Sequence, residues 1–351
     1  MIFFTVKFTF YIEIRTTIIQ LHNLKNNMEK QLSKIIILLA MVINIFASDL
    51  VDLYRHQGLS AVEQQLEESL KDKEYWNNYL KNKNVELGYY ETKKYIILTQ
   101  KKRSELALYK INNHQTTLVT KNNVIVGEKE GDKYLEGDKK TPEGVYDLTS
   151  KKTRLDQFYG PFALVTSYPN TFDKSLDKKG HGIWIHGMPL ENSEREKYTR
   201  GCIALDNPEL ENLEKNIDLE NAILLTSQDE FQKANKEEIS LVLSSIYNWK
   251  DSWKRSDIDK YLKYYSPEFK KYDGSDFEKF AKYKKRIFRK KERKKIHFSN
   301  INISPYPNSL NKRMFKIIMD QMYKSPAVDF KGKKELFLEI VNNEVKILTE
   351  D

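Results

Sequence analysis

The chain has 351 residues, of which 59 are Lys or Arg and 50 are Asp or Glu, so its formal net charge is +9 at pH 7, and it has a single cysteine. One cysteine cannot form a disulfide within its own chain, which excludes a small secreted domain held together by such bonds. A chain of this length buries a hydrophobic core without them.

The first predicted element is an export signal at residues 28–48. Residues 1–27 carry no domain signal, and we interpret them as an over-extended N-terminus that precedes the true start at Met28. A short segment with two lysines, the apolar run Ile35–Phe46 and the small pair Ala47-Ser48 then follow in the order of a secretory signal peptide. An uncleaved N-terminal anchor is the alternative, although the run is short for a transmembrane helix.

Residues 49–87 form a predicted helical region. Val62, Leu66 and Leu70 recur at helical spacing, and Trp76 extends their apolar stripe. The region is too small to fold alone, so its stripe must pack on something. Two interpretations stay open: it packs on its own chain, or it is an arm through which a homodimer forms.

Short β-rich runs separated by turn residues dominate residues 88–228. Helical character is confined to Asn207–Ile217 and to the loop between His186 and Cys202, and the region closes with the strand-like run NAILLTS. This pattern predicts a mainly-β domain of the sandwich type.

The lone cysteine, Cys202, lies in this β-rich region. In an exported protein, a thiol that has no partner in its chain is an intermolecular bridge, an inert buried side chain or a reactive group. Cys202 follows Thr199, Arg200 and Gly201. A glycine before a nucleophile permits a tight turn in which the N–H groups of Gly201 and Cys202 face a developing oxyanion, and Arg200 adds positive charge.

The run Gly180–Gly187, GHGIWIHG, predicts a strand that ends at a candidate catalytic base. Side chains alternate between faces, so Trp184 shares a face with His186, whereas His181 lies on the other. A regular strand therefore does not aim both histidines at one metal, and we expect no metal and no cofactor. His186 and Cys202 form a candidate Cys–His acyl-transfer site, in which the histidine lowers the pKa of the thiol and makes it reactive at neutral pH.

Residues 229–351 predict an α+β domain. Ile239, Val242, Ile246 and Trp249 form a helical stripe, and long strand-like runs follow the helices. The segment SWKRSDIDKYLKYYSPEF resembles the opening of the NTF2-like fold, which implies an α+β cone.

A basic run, Lys282–Lys295, lies within this domain and carries ten Lys or Arg against one Glu. On a helix, Tyr283, Ile287 and Phe288 would pack inward and leave a solvated basic face. Attraction to an anionic wall polymer, a membrane surface or an acidic partner is the alternative. We expect no nucleic-acid partner, because an exported protein rarely meets one.

Three motifs together carry a resemblance to a known family. They are Thr141–Tyr146 (TPEGVY), His186-Gly187, and residues 199–203 (TRGCI). In this order, across roughly residues 92–227, the chain resembles the L,D-transpeptidase or YkuD-domain family. Ala204 stands where the family usually has Arg, and in this the chain resembles the cell-shape-determining L,D-carboxypeptidases, which also carry a C-terminal NTF2-like domain. The expected fold class is therefore α+β and multidomain: a short helical region, a mainly-β YkuD-type sandwich and an NTF2-like cone.

The resemblance implies an enzyme that acts on peptidoglycan stem peptides. Cys202 would be the nucleophile, His186 the base, and the carbonyl of Gly187 would orient the imidazole. Gly201, Thr199, Arg200 and Trp184 are expected around the oxyanion and the substrate, although core packing is equally open for Trp184. Thr141 and Tyr146 are expected to be structural.

The expected reaction is removal of the terminal D-Ala from tetrapeptide stems, in the periplasm, which would set cell shape. Two alternatives stay open: a transpeptidase that forms 3–3 cross-links or attaches proteins to the wall, and a wall-binding scaffold without catalysis.

Overall fold

The computed structural model of the protein describes Gln31, residues 49–190 and residues 197–351. The chain divides into two compact units, residues 1–69 and 70–351. The interpretations of residues 1–27 and 28–48 lie outside the described residues, except at Gln31, which is helical and exposed. Within the described residues, every helix is too short or too polar to cross a bilayer.

The N-terminal helical region has two parts with different environments. Residues 49–57 are helical, and Gly58, at a φ of 79°, separates them from α1 (Leu59–Lys71), which has no buried residue. Asp72 then caps α2 (Lys73–Leu80), which buries Trp76 and Leu80. The Trp76 ring stacks on Tyr247 at 5.7 Å, so α2 packs on its own chain. The homodimer arm remains a prediction for α1.

A mixed sheet of eight strands forms the first domain, in the spatial order β4-β3-β2-β9-β5-β6-β7-β8. Its strands are β2 (Lys94–Gln100), β3 (Glu105–Asn112), β4 (Gln115–Asn123), β5 (Gly144–Lys152), β6 (Ala163–Thr166), β7 (Trp184–His186), β8 (Ile203–Ala204) and β9 (Ala222–Ser227). The pairs β2–β9 and β7–β8 are parallel, and the other neighbours are antiparallel.

Strand β5 is shared by the two halves of this sheet. Its first four residues pair with β9, and the remainder pairs with β6, so the sheet curls at β5. Apolar side chains from both halves fill the space that the curl encloses, among them Ile97, Leu108, Leu164, Ile185 and Ile203. Two short helices complete the domain: α3 (Thr171–Ser175), and α4 (Asn207–Asn216), which buries Leu210 and Leu213.

The C-terminal domain packs three helices against a five-stranded antiparallel sheet, ordered β1-β10-β11-β12-β13, in which β1 is Tyr89–Tyr90. The elements are α5 (Lys236–Lys254), α6 (Ile258–Lys263), α7 (Phe277–Phe288), β10 (Lys295–Tyr306), β11 (Met314–Lys324), β12 (Asp329–Val341) and β13 (Glu344–Glu350). The predicted stripe on α5, from Ile239 to Trp249, is buried in its core. The architecture confirms the α+β multidomain class.

Strand β1 (Tyr89–Tyr90) lies in the C-terminal sheet, although the sequence assigned these residues to the β-rich region. Tyr89 pairs with Ile303 and Tyr90 with Asn302 of β10. The chain therefore contributes to the C-terminal sheet before it enters the first domain, which ties the two sheets together covalently at this point.

A common core joins the two sheets. Phe172 of α3 stacks on Phe337 of β12, with ring centroids 5.6 Å apart, and meets Tyr306 edge to face. The fully buried Lys316 of β11 pairs with Asp147 of β5 at 3.2 Å and with Glu335 at 3.0 Å. Burial lowers the pKa of Lys316, but the two carboxylates outweigh it and raise the pKa above its ordinary value. The amine therefore stays charged and links the domains.

The core shared by the two domains predicts that alanine substitutions at two phenylalanines of β12 lower stability by very different amounts. Phe337→Ala should lower the free energy of unfolding by about 3–4 kcal/mol, because it empties a buried aromatic site that both domains share. Phe330→Ala, on the exposed end of the same strand, should cost at most about 1 kcal/mol. Urea unfolding measures both, and similar losses for the two variants would contradict the shared core.

Candidate active site

The candidate base and nucleophile lie on one parallel strand pair. Ile185 of β7 pairs with Ile203 of β8, and His186 pairs with Ala204, while both isoleucines are fully buried. Because the pair is parallel, this register places Cys202, which immediately precedes β8, beside Trp184 at the start of β7, on the same face as His186. His186 and Cys202 consequently line one cavity of about 400 Å³, together with Gly187, Thr199 and Arg200.

The imidazole of His186 is held in one orientation. Its Nδ1 lies 2.7 Å from the carbonyl oxygen of Gly187, and the Tyr159 ring meets it edge to face at 5.1 Å. A carbonyl oxygen only accepts hydrogen bonds, so Nδ1 carries the proton of the neutral ring and Nε2 keeps its lone pair. Burial lowers the pKa of His186, more than the bond to Gly187 raises it, so the ring is neutral at pH 7.

Gly187 is required by its surroundings rather than by its backbone angles. A Cβ at this position would lie 2.1 Å from Oδ1 of Asn207 and 2.9 Å from Cδ of Pro161. The Asn207 amide brackets the next residue, because Oδ1 accepts from Met188 N at 2.8 Å and Nδ2 donates to Met188 O at 3.1 Å. Asn207 therefore fixes the segment whose carbonyl holds His186.

Cys202 is partly buried, and its thiol donates to the carbonyl of Gly182 at 3.5 Å. Burial raises the pKa of Cys202, and a backbone hydrogen bond from Trp184 and the charge of Lys133 offset this only in part. The sequence predicted a thiol pKa lowered by His186. That prediction is wrong because the same burial that raises the thiol pKa also keeps the imidazole neutral.

The turn before Cys202 has the tight glycine conformation that the sequence predicted, but one of its two N–H groups is already hydrogen-bonded. Gly201 has a φ of 128°, and a Cβ there would lie 2.7 Å from the Lys140 carbonyl oxygen. The Gly201 N–H, however, donates to Oγ1 of Thr199 at 3.1 Å, and that hydroxyl donates to the Cys202 carbonyl at 2.7 Å. Thr199 thus closes the turn and engages an N–H that the sequence assigned to the oxyanion.

Arg200 and Trp184 were both predicted near the oxyanion and the substrate, but they differ in their relation to the cavity. Arg200 is exposed and lines the cavity. Among the described residues, the cavity wall does not include Trp184, whose ring contacts Tyr159 at 5.2 Å and lies 4.9 Å below the Lys152 amine. Trp184 therefore supports Tyr159, which in turn supports His186.

Several cavity residues were missed by the sequence analysis. An apolar wall is formed by Ile125, Phe158, Tyr159, Met188, Pro189 and Tyr198, and Asp156 lies at its edge. The run DQFYG, which forms a 3₁₀ turn at Gln157–Tyr159, carries aromatic residues next to a turn glycine, and Asn207 begins a helix beside a proline. Neither pattern indicates by itself which residues face the histidine.

Two residues of the upstream motif are buried and structural. Thr141 Oγ1 accepts from Gly127 N at 2.9 Å, and the Tyr146 hydroxyl donates to Glu143 O at 2.9 Å. Within the part of the chain that the structure describes, no three His, Cys, Asp or Glu side chains group as metal ligands.

Comparisons with known proteins agree with this architecture. Residues 94–224 match the L,D-transpeptidase catalytic domain, YkuD, and residues 241–351 match the Cds6 C-terminal NTF2-like domain. A search of curated protein sequences gives no match.

Solved structures match nearly the whole length of their own chains. The helical cell shape determining protein Pgp2 from Campylobacter jejuni is 40% identical, with a TM-score of 0.76 over 80% of this chain and 99% of that chain. A point mutant of it gives a TM-score of 0.78 over 81% and 99%. Bd1075 from Bdellovibrio bacteriovorus is 27% identical, with a TM-score of 0.61 over 76% and 96%.

The fold is thus a YkuD-type catalytic domain joined to an NTF2-like domain, as the motifs predicted. The chain belongs to the L,D-transpeptidase (YkuD-domain) family, within the group that carries a C-terminal NTF2-like domain. The family's chemistry is that of cysteine-dependent, peptidoglycan-processing enzymes.

Alkylation of Cys202 tests the protonation states of the site. We predict that, without substrate, the rate of reaction with iodoacetamide keeps rising above about pH 8.5, the ordinary thiol pKa, because burial raises the pKa of Cys202. His181→Gln, at an exposed histidine of the same segment, should leave the profile unchanged. A plateau in rate below pH 7 would instead indicate a preformed thiolate–imidazolium pair and contradict the assignment.

Proposed function

We propose that the protein is an L,D-carboxypeptidase that removes the terminal D-Ala from tetrapeptide stems of peptidoglycan through a thioester on Cys202. The observation that carries the proposal is the Nδ1 contact of His186 with the Gly187 carbonyl, because it leaves Nε2 as a base in the cavity that Cys202 also lines. Its relatives' role in cell shape supports an extracytoplasmic enzyme that trims the wall and sets shape.

In the first step, Nε2 of His186 takes the thiol proton as the sulfur attacks the carbonyl between diaminopimelate and D-Ala. Simultaneous proton transfer and attack suit a neutral thiol beside a neutral imidazole, because the thiolate then forms only as the sulfur attacks. The C–S bond forms, the C–N bond breaks, and the imidazolium returns the proton to the departing D-Ala amine. The products are free D-Ala and a thioester on Cys202.

In the second step, water hydrolyses the thioester. His186, again neutral, takes a proton from the attacking water and then protonates the sulfur as the C–S bond breaks, which releases the tripeptide carboxylate. The Cys202 N–H is the proposed donor to the oxyanion in both steps, because the Gly201 N–H is engaged by Thr199. Arg200, at the cavity edge, is the proposed partner of a substrate carboxylate.

Ala204 supports hydrolysis rather than transfer to a second stem. It lies in the cavity wall, where its bridge to Ile125 holds β8, and its methyl group adds no charge. The usual family arginine would supply a planar donor for another carboxylate at this point. Alanine supplies no such donor, so this part of the cavity does not bind the carboxylate of a second stem peptide. Water can act as the acceptor without a carboxylate-binding group.

Product analysis with purified disaccharide tetrapeptide tests the reaction. Wild-type protein should release D-Ala and tripeptide, and Cys202→Ala should reduce the rate by at least about 1000-fold, because the nucleophile is lost. Urea unfolding of Cys202→Ala checks that the fold is intact, and His181→Gln is the control for substitutions near the site.

The other outcomes separate the alternatives. Dimers with 3–3 linkages in place of tripeptide would identify a transpeptidase. If wall composition and cell shape are unchanged by Cys202→Ala in the producing organism, the protein acts as a wall-binding scaffold, and the catalytic proposal is wrong.

A further inference from the structure

The outward face of α7 is strongly basic. One side of the helix buries Phe280, Ala281 and Phe288 in the domain core. The opposite side, with the residue that caps the helix end, exposes five cations, here called the α7 basic face: Lys279, Lys282, Lys285, Arg286 and the capping Arg289. Glu278 is the one carboxylate on this helix, so the face is a nearly uniform positive strip along three turns.

The cations of the α7 basic face have no carboxylate within 4 Å among the described residues. Some exposed lysines elsewhere on the protein do have such partners, as Lys121 has Glu105 at 2.7 Å and Lys260 has Asp257 at 3.5 Å. Like charges spaced along one helix repel each other. An anionic surface placed against the helix would relieve this repulsion for all five cations together.

An exposed aromatic ring lies within the α7 basic face. The sequence predicted that Tyr283 packs inward, and this is wrong: its side chain is 50% exposed, with the Arg286 guanidinium 5.5 Å from the ring. Lys284 takes the inward direction instead, with its amine 5.1 Å from the ring centroids of Trp253 and Phe280. Tyrosines among basic residues are typical of surfaces that rest at the headgroup level of a bilayer.

Apolar side chains are exposed where α7 leads into the sheet. A short segment after α7 leads to β10, whose first residue, Lys295, pairs with Lys324 at the end of β11. The turn that follows exposes Val328, and the start of β12 exposes Phe330; these side chains are 49% and 43% exposed. A soluble polyanion gains nothing from exposed apolar groups, whereas the interface of a bilayer accepts them.

We propose that the α7 basic face docks on the surface of an anionic lipid bilayer, with Tyr283 at the level of the headgroups. Charge provides the attraction, since each Lys or Arg close to such a surface strengthens binding about fivefold. The aromatic ring and the exposed end of the β11–β12 hairpin add contact with the interface. Docking would hold the enzyme at the membrane without a spanning helix in this domain.

Vesicle co-sedimentation with the full chain tests the proposal. Wild-type protein should bind vesicles of equal parts phosphatidylglycerol and phosphatidylcholine, and should not bind phosphatidylcholine alone. The quadruple variant Lys282→Gln, Lys285→Gln, Arg286→Gln and Arg289→Gln should bind at least about 100-fold more weakly. Tyr283→Ala should weaken binding by a similar factor at low and high salt, because its contribution is not electrostatic.

A second quadruple variant controls for net charge. Glutamine at Lys110, Lys121, Lys215 and Lys260 removes the same charge from other exposed positions and should preserve vesicle binding. Release of D-Ala from the soluble substrate checks that both quadruple variants are folded.

Three results would overturn the proposal. They are absence of vesicle binding by the wild type, equal losses in the two quadruple variants, and binding to isolated wall sacculi without binding to vesicles. The last would assign the α7 basic face to an anionic wall polymer.

Discussion

The contact between Nδ1 of His186 and the Gly187 carbonyl is the constraint on which the proposed chemistry of this protein depends. A backbone carbonyl replaces the carboxylate or amide that orients the histidine in other Cys–His sites, so it fixes the tautomer without adding a negative charge. Burial keeps the imidazole neutral because it lowers the pKa of His186 by more than the bond to Gly187 raises it, and the bond leaves the lone pair on Nε2. The proposed mechanism therefore relies on proton transfer during attack rather than on a resting ion pair.

The fold maintains this contact through rigid neighbours. Fully buried isoleucines pair β7 with β8, Asn207 brackets Met188, and Tyr159 braces the imidazole ring. Beyond the first domain, the core shared by Phe172 and Phe337 and the buried Lys316 tie the curled sheet to the C-terminal sheet. A side chain is held to catalytic precision only when its supporting residues are themselves packed.

The sequence predicted the local geometry of the site better than the surroundings of its side chains. Strand alternation separated His186 from His181, and the glycine before Cys202 indicated the tight turn, because both are local properties. The helical stripe of α5 was predicted for the same reason. The position of β1 in the C-terminal sheet depends on a partner strand more than 200 residues away, which no local pattern contains.

The pKa directions and the cavity wall also depend on distant neighbours. The raised thiol pKa follows from how deeply Cys202 sits, and the roles of Asn207 and Tyr159 follow from which loops converge on β7. On α7, Tyr283 and Lys284 are adjacent in the sequence, and only the shape of the core decides that the lysine turns inward and the tyrosine outward.

NMR of the imidazole nitrogens, in protein with isotope-labelled histidine, tests the central claim most directly. We predict that at pH 7 the ring of His186 is neutral, with its proton on Nδ1 and a free lone pair on Nε2. An imidazolium at that pH, or a neutral ring protonated on Nε2, would contradict the account, because neither form can take the proton from Cys202.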